Sequence, residues 1–332
     1  MTSSRNGPRV LFDVTDLMSQ IGNGHHPTGI PRVVADCLVP LIENVPNLVP
    51  VFFSRVSRAY CQVDGLSLAA FDVGYVRKYS PESRDHLRRL CAYIGVLRSG
   101  RVVPRAGDTL LILGGGWHDE RRHRYLFGRS AALCRTIWFC HDLIPVLDPQ
   151  FDVQGEVFAR WLDAALRRRN EFICAPRFVE ADLRNYALQR GADVRISIIP
   201  LAHEFRPIDG SVSPAVARAA SGAMVLCVGS IVERKRQLNL AQVWARLHEE
   251  FGDRLPVLVM AGALIDAGAL TNFLQGTADV GGKVALLGHV SDPELAFLYE
   301  RCSFTVYPSL NEGWGLPVGE SLWMENPVSA PT

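Results

Sequence analysis

None of the eight cysteines pairs as CxxC, so they point to neither a zinc site nor a disulfide framework. No apolar run reaches the length of a bilayer span. The most apolar long window, LPVLVMAGALIDAGAL at 255–270, is too short and carries Asp266, which argues against a transmembrane helix there. The opening MTSSRNGPRV has no apolar core ahead of its first strand, so no signal peptide is expected. An excess of one charge is missing as well. Thirty-five Lys and Arg face 34 Asp and Glu, a net charge of +1 that gives no global argument for nucleic acid. No GxGxxG follows a first strand, which ranks a nicotinamide-dependent dinucleotide fold last.

What is present is an apolar, well-patterned chain of 332 residues, 48% hydrophobic and 21% charged, with room for two cores. Short apolar runs alternate with helical patterns, as in a parallel sheet built from βα units. The first half predicts strands at 10–14, 48–53, 109–113, 136–140, 171–175 and 194–199. A helix is expected over 30–44, with Pro31 in its first turn and Pro40 kinking or ending it. Another is expected over 176–190, and a third near 82–98 in the poorly legible stretch 54–108. The pattern breaks at 202–222 and then restarts. Strands are expected at 223–229, 256–262, 283–288 and 303–309, with helices near 236–250, 293–301 and 320–326. Two α/β domains follow, over 1–205 and 206–332. Cys140, Cys174, Cys227 and Cys302 fall in the apolar runs, where a thiol acts as a small hydrophobe, so a reducing cytoplasm is the expected compartment.

The stretch NEGWGLPVGE at 311–320 sets two carboxylates around a glycine-rich apolar run. Read as a strand-to-helix loop, it lies at the carboxyl edge of a parallel sheet, where open α/β folds bind ligands. Its glycines and first helical turn turn backbone N–H groups toward that crevice, and the helix N-terminus suits a phosphate. Glu320, placed in the first turn after Pro317, and Glu312, on the loop, could each accept hydrogen bonds from hydroxyls. Two acceptors around an anion cradle describe a site for a molecule with a sugar at each end and phosphate between.

This stretch resembles the E-x7-E motif of retaining, nucleotide-sugar-dependent glycosyltransferases of family 4, which have the GT-B fold. The resemblance continues through GHVSDPELAFLYERCSFTVYPS (288–309), IVERKR (231–236), HDLIP (141–145), FICAPRFVEADLRNYA (172–187) and PTGIPRV (27–33), especially toward members that build bacterial surface polysaccharides. It implies two Rossmann-like domains facing across a cleft. Glu312 would bind hydroxyls of the transferred sugar and Glu320 the ribose. Backbone amides of Gly315 and Leu316 would meet the donor sugar or its phosphate, while Arg234 and Lys235 would neutralise the diphosphate. His141 would face the donor sugar from the other domain, and Gly29 would let a loop approach the donor closely. No metal and no cofactor are implied beyond the nucleotide diphosphate sugar itself. The acceptor would be a glycan or a lipid-linked saccharide. Nucleic acid is not implied, a peripheral contact at the inner face of the membrane stays open, and the oligomeric state is unread.

Each residue also has a plainer reading. Glu312 and Glu320 can be a loop acid and a helix-capping acid, Arg234 and Lys235 solvated charges, His141 a core histidine bonded to backbone, and Gly29 a turn residue. Asp13 and Asp16 are as readily caps as contacts, Gly114–Gly116 can simply end a strand, and His203 and His289 receive no role. Two departures from the family pattern stand out. Ser230 occupies a position that many relatives fill with a basic residue, and NPVSAPT at 326–332 ends the chain where another strand would begin, so the second domain is expected to be incomplete. A non-catalytic GT-B remnant or assembly subunit that binds nucleotide sugar without turnover is therefore the alternative function.

Overall fold

The computed structural model describes residues 7–22, 29–63, 100–128, 134–151, 154–204, 210–276, 280 and 282–331. The helix expected near 82–98 lies outside them. The chain divides into two units, Met1–Leu201 and Ala202–Thr332.

In the first unit the strands are β1 (Val10–Asp13), β2 (Leu48–Ser54), β3 (Ala59–Gln62), β4 (Thr109–Ile112), β5 (Arg135–Cys140), β6 (Glu171–Cys174) and β7 (Arg195–Ile198). They form one sheet in the order β3-β2-β1-β4-β5-β6-β7. All neighbours run parallel except β3, which returns antiparallel along β2 through a tight turn. The order reverses between β1 and β4, which is the switch point of a doubly wound sheet. Both faces of such a sheet are covered at its centre, and β1 there buries Leu11, Phe12 and Asp13 in succession rather than alternately. The helix Gly155–Arg167 shows how the cover is built: Phe158, Trp161, Leu162, Ala165 and Leu166 recur at helical spacing and are all buried. Trp161 meets Trp138 of β5 edge-on, with ring centroids 5.1 Å apart.

The second unit holds β8 (Met224–Val228), β9 (Val257–Ala261), β10 (Val284–Gly288), β11 (Phe304–Val306) and β12 (Val328–Ser329), an all-parallel sheet in the order β10-β9-β8-β11-β12. Its switch point lies between β8 and β11. Core residues gather on both faces, Leu226, Val259, Leu298 and Tyr299 on one and Val225, Leu258, Met260 and Trp244 on the other.

The helix Ile30–Asn44 has the bounds expected for it and contains Pro40 in its interior. Val33, Val34, Ala35 and Leu38 anchor its first half in the core. A strand begins within NPVSAPT, where the sequence placed the next one, and Val328–Ser329 pairs with Thr305–Val306. The helix after the glycine-rich loop spans Leu316–Trp323 rather than 320–326.

Candidate functional site

The second unit's switch point is where the polar residues collect. β8 ends at Val228, and Gly229 and Ser230 lead into a 3-10 turn over Glu233–Lys235. β11 ends at Val306, and Tyr307 leads into the loop that carries Glu312. Because β8 and β11 are hydrogen-bonded neighbours running parallel, both loops leave the same edge of the sheet.

Glu312 is the hub of the cluster. Its Oε1 lies 2.9 Å from Arg234 Nη1 and 3.7 Å from Lys235 Nζ, and it accepts a hydrogen bond from Ser309 Oγ at 2.8 Å. The three charged side chains keep 19%, 16% and 23% of their surface for Arg234, Lys235 and Glu312. They are thus partly shielded and still reachable by a ligand. The Lys235 ammonium lies 5.6 Å from the centre of the Tyr307 ring, within reach of a cation–π attraction. It also presses on the end of β8, where a side-chain carbon on Gly229 would come within 2.8 Å of Nζ. Burial, and after it the nearby Glu312 carboxylate, pushes the Tyr307 hydroxyl well above its usual range. The phenol therefore stays neutral.

Gly315 opens the helix Leu316–Trp323 in the left-handed conformation, φ 75° and ψ 51°, with Pro317 in the first turn. That conformation favours glycine and points the chain straight into the helix. Pro317 has no N–H and the Val318 and Gly319 amides donate to the Gly315 carbonyl, so the donors this N-terminus offers are the amides of Gly315 and Leu316. Glu320 is placed differently from the sequence-based expectation. Since the helix starts at Leu316, Glu320 lies past the first turn, where it is 2% exposed and its Oε2 accepts from the Tyr299 hydroxyl at 3.1 Å.

The remaining two candidates belong to the first unit. Gly29 precedes the helix Ile30–Asn44 at φ 57° and ψ −125°, a conformation that strains any other residue, and the space beside it is open. His141 follows β5 directly, and its Nε2 lies 2.8 Å from the Leu113 carbonyl oxygen. A carbonyl only accepts, so Nε2 carries the hydrogen and Nδ1 keeps a lone pair. Burial pushes the imidazole down to about 4, only partly opposed by the bond to Leu113, so it is neutral near pH 7.

Sequence reasoning set aside a buried polar network at the carboxyl end of β1. Asp13 Oδ2 accepts from Arg122 and from the Tyr60 hydroxyl, while Asp13 Oδ1 accepts from the Thr15 hydroxyl and amide. Arg122 Nε also reaches the Tyr60 oxygen at 3.1 Å, and Arg122 Nη1 lies 3.5 Å from Asp16 Oδ1. Burial raises the Asp16 carboxyl, against the pull of Arg122. The visible signal was two aspartates three residues apart at a strand end. The partners Tyr60 and Arg122 are brought in by the fold alone.

The family model described as "Glycosyl transferases group 1" matches residues 222–330. The serotype-specific mannosyltransferase WbdA of Escherichia coli is 26% identical over 203 residues, which is 57% of this chain and 25% of the relative. The O-antigen chain mannosyltransferase B of Escherichia coli is 32% identical over 104 residues, 31% of this chain and 27% of that one. The chain thus spans about a quarter of the length of the curated relatives it matches. Among solved structures, the sucrose-phosphate synthase of Thermosynechococcus elongatus superposes with a TM-score of 0.59 at 16% identity, over 98% of this chain and 81% of the other. HepE of Anabaena, crystallised with UDP-glucose, superposes with a TM-score of 0.56 at 12% identity, over 97% and 80%. The two Rossmann-like units are those of the GT-B fold, and residues 222–330 match the group 1 glycosyl transferase family.

Proposed function

We propose that this chain transfers a sugar from a nucleotide diphosphate sugar to a glycan or lipid-linked acceptor, with retention of anomeric configuration, and that it does so in the cytoplasm. The observation that carries the reading is the meeting of Glu312 with Arg234 and Lys235 at the β8/β11 switch point, directly ahead of a helix N-terminus. Two cations and the amides of Gly315 and Leu316 suit a diphosphate, and the carboxylate suits hydroxyls. In this reading Glu312 receives hydroxyls of the transferred sugar, the amides of Gly315 and Leu316 face the sugar or its phosphate, and Glu320 receives the ribose. Support comes also from the relatives, which are named mannosyltransferases, and from HepE, whose crystals hold UDP-glucose.

The leaving group is a nucleoside diphosphate, whose growing negative charge the cationic side of the cluster offsets. The bond from the anomeric carbon to the phosphate oxygen breaks, and a bond from that carbon to the acceptor oxygen forms on the same face. The acceptor's proton passes to the departing phosphate. This front-side route needs no protein nucleophile.

The test is nucleoside-diphosphate release from a panel of uridine- and guanosine-diphosphate hexoses, with and without saccharide acceptors. Transfer is expected with at least one donor, and Glu312→Gln is expected to abolish it while leaving the melting temperature within a few degrees. Binding of nucleotide sugar without turnover across the panel would replace the reading with that of a binding protein.

A further inference from the structure

Arg234 and Lys235 are adjacent in the chain but engage their surroundings in different ways. Arg234 is tied to the loop 309–312 at both its backbone and its side chain. Its carbonyl oxygen accepts from the Leu310 amide at 3.0 Å. Its Nη1 donates to the Asn311 carbonyl oxygen, lies 3.4 Å from Ser309 Oγ and makes the 2.9 Å ion pair with Glu312. Ser309 adds a second brace, with its hydroxyl 2.8 Å from Glu312 Oε1 and 3.2 Å from the Asn311 oxygen. Lys235 has no such grip. Its ammonium is 3.7 Å from Glu312, outside hydrogen-bonding distance, and rests against Gly229 and the Tyr307 ring at the end of β8.

We infer that Arg234 is a positioning residue, which sets the conformation of the loop 309–312 and the direction of the Glu312 carboxylate, and that Lys235 is the cation that meets the diphosphate. The inference rests on the proposed function and divides the labour within it. A guanidinium is a planar fork whose several donors fix neighbouring oxygens in a set geometry, whereas an ammonium is a compact charge on a movable stem. Drawing Arg234 Nη1 onto a phosphate would release Asn311 and Glu312 together and loosen the loop it holds. Moving Lys235 onto a phosphate breaks no hydrogen bond to Glu312.

The experiment compares Arg234→Lys, Arg234→Gln and Lys235→Gln in the full chain, reading nucleoside-diphosphate affinity by calorimetry, sugar transfer by kcat and KM, and hydrogen exchange over residues 309–312. Lys235→Gln should weaken diphosphate binding tenfold or more and flatten its salt dependence, with exchange in the loop unchanged. Arg234→Gln should change that affinity less than threefold, lower kcat tenfold or more, and raise exchange across the loop. Arg234→Lys should behave like Arg234→Gln, because the lysine nitrogen stops one bond short of Nη1, which makes all of these contacts. Equal loss of diphosphate affinity in Arg234→Gln and Lys235→Gln would overturn the inference, as would full turnover and a quiet loop in Arg234→Lys. Should Arg234→Gln not fold, Arg234→Lys decides by the same readings. A wild-type chain that binds no nucleoside diphosphate would instead sink the proposed function itself.

Discussion

The Tyr299 hydroxyl donates to Glu320 Oε2 across 3.1 Å, joining the helix Asp292–Arg301 to the helix Leu316–Trp323 in a fully buried contact. The contact fixes one oxygen of the Glu320 carboxylate and with it the side chain's rotamer. If Glu320 receives a ribose, Tyr299 sets where that acceptor stands. Tyr299→Phe removes the bond while keeping the ring, and a net cost of about 1 kcal/mol in stability is expected, more if the carboxylate is left short of partners. Ribonucleotide affinity should fall several-fold, while the matching 2′,3′-dideoxynucleotide, which lacks the ribose diol, should bind the variant and the wild type alike. A variant that still prefers the ribonucleotide as strongly as before would remove Tyr299 from this role.

The Asp13–Arg122 pair bears on stability rather than on ligand. Arg122 is 2% exposed, and its charge is kept despite burial by Asp13, Tyr60 and Asp16 around it. Taking away one member of a buried pair strands the other, at a cost of roughly 3–5 kcal/mol. Arg122→Met should therefore lower the urea midpoint sharply. Adding Asp13→Asn should cost less than the sum of the two single changes, because the charge left unpaired by the first is gone. Simple additivity in that double-mutant cycle would show that the two side chains do not depend on each other.

These two contacts mark the limit of what the sequence made legible. The strands did show. Apolar runs such as Met224–Val228 and Val257–Ala261 read as buried parallel strands through their shortness and their flanking glycine and proline. Ala59–Gln62 did not show, because four residues with no clear period carry too little pattern, and only pairing with β2 defines them. The sequence-based reading also omits the helix Gly155–Arg167, although its apolar residues recur at helical spacing. Within the site, the residue types and order of NEGWGLPVGE were readable. The hold of Arg234 on Asn311 and of Tyr299 on Glu320 joins residues 77 and 21 positions apart, which a local pattern cannot express.

His141 supplies a pH test. Its imidazole is pushed down to about 4 in the folded chain, mainly by burial, against an ordinary value of 6.5. Between those two values the unfolded chain binds a proton that the folded chain does not, so stability falls as pH drops from about 6.5 to about 4. Above that window the residue contributes no slope. The urea midpoint of the wild type should decline on acidification through the window, and His141→Gln should lack that part of the decline. An imidazole that titrates near 6.5 by NMR would contradict the burial argument.

Gly315 tests whether the helix entry matters through conformation or through space. A side-chain carbon there would lie 3.8 Å from Val318 Cγ2 and 3.9 Å from Tyr307 Cε1, which are ordinary contacts, so nothing bars it sterically. The cost lies in φ 75°, which an alanine adopts at about 1–2 kcal/mol. Gly315→Ala should therefore lower stability by about that amount, and Gly315→Asn by less, since asparagine visits the left-handed region more readily. If the amides of Gly315 and Leu316 face the donor, relaxation of the strained alanine turns them away, so donor affinity should follow the same order: glycine, asparagine, alanine. Thermal melts together with calorimetry on the nucleotide sugar check both halves. A Gly315→Ala chain as stable as the wild type would mean that the turn relaxes freely, and unchanged donor affinity in that chain would take these amides out of the site.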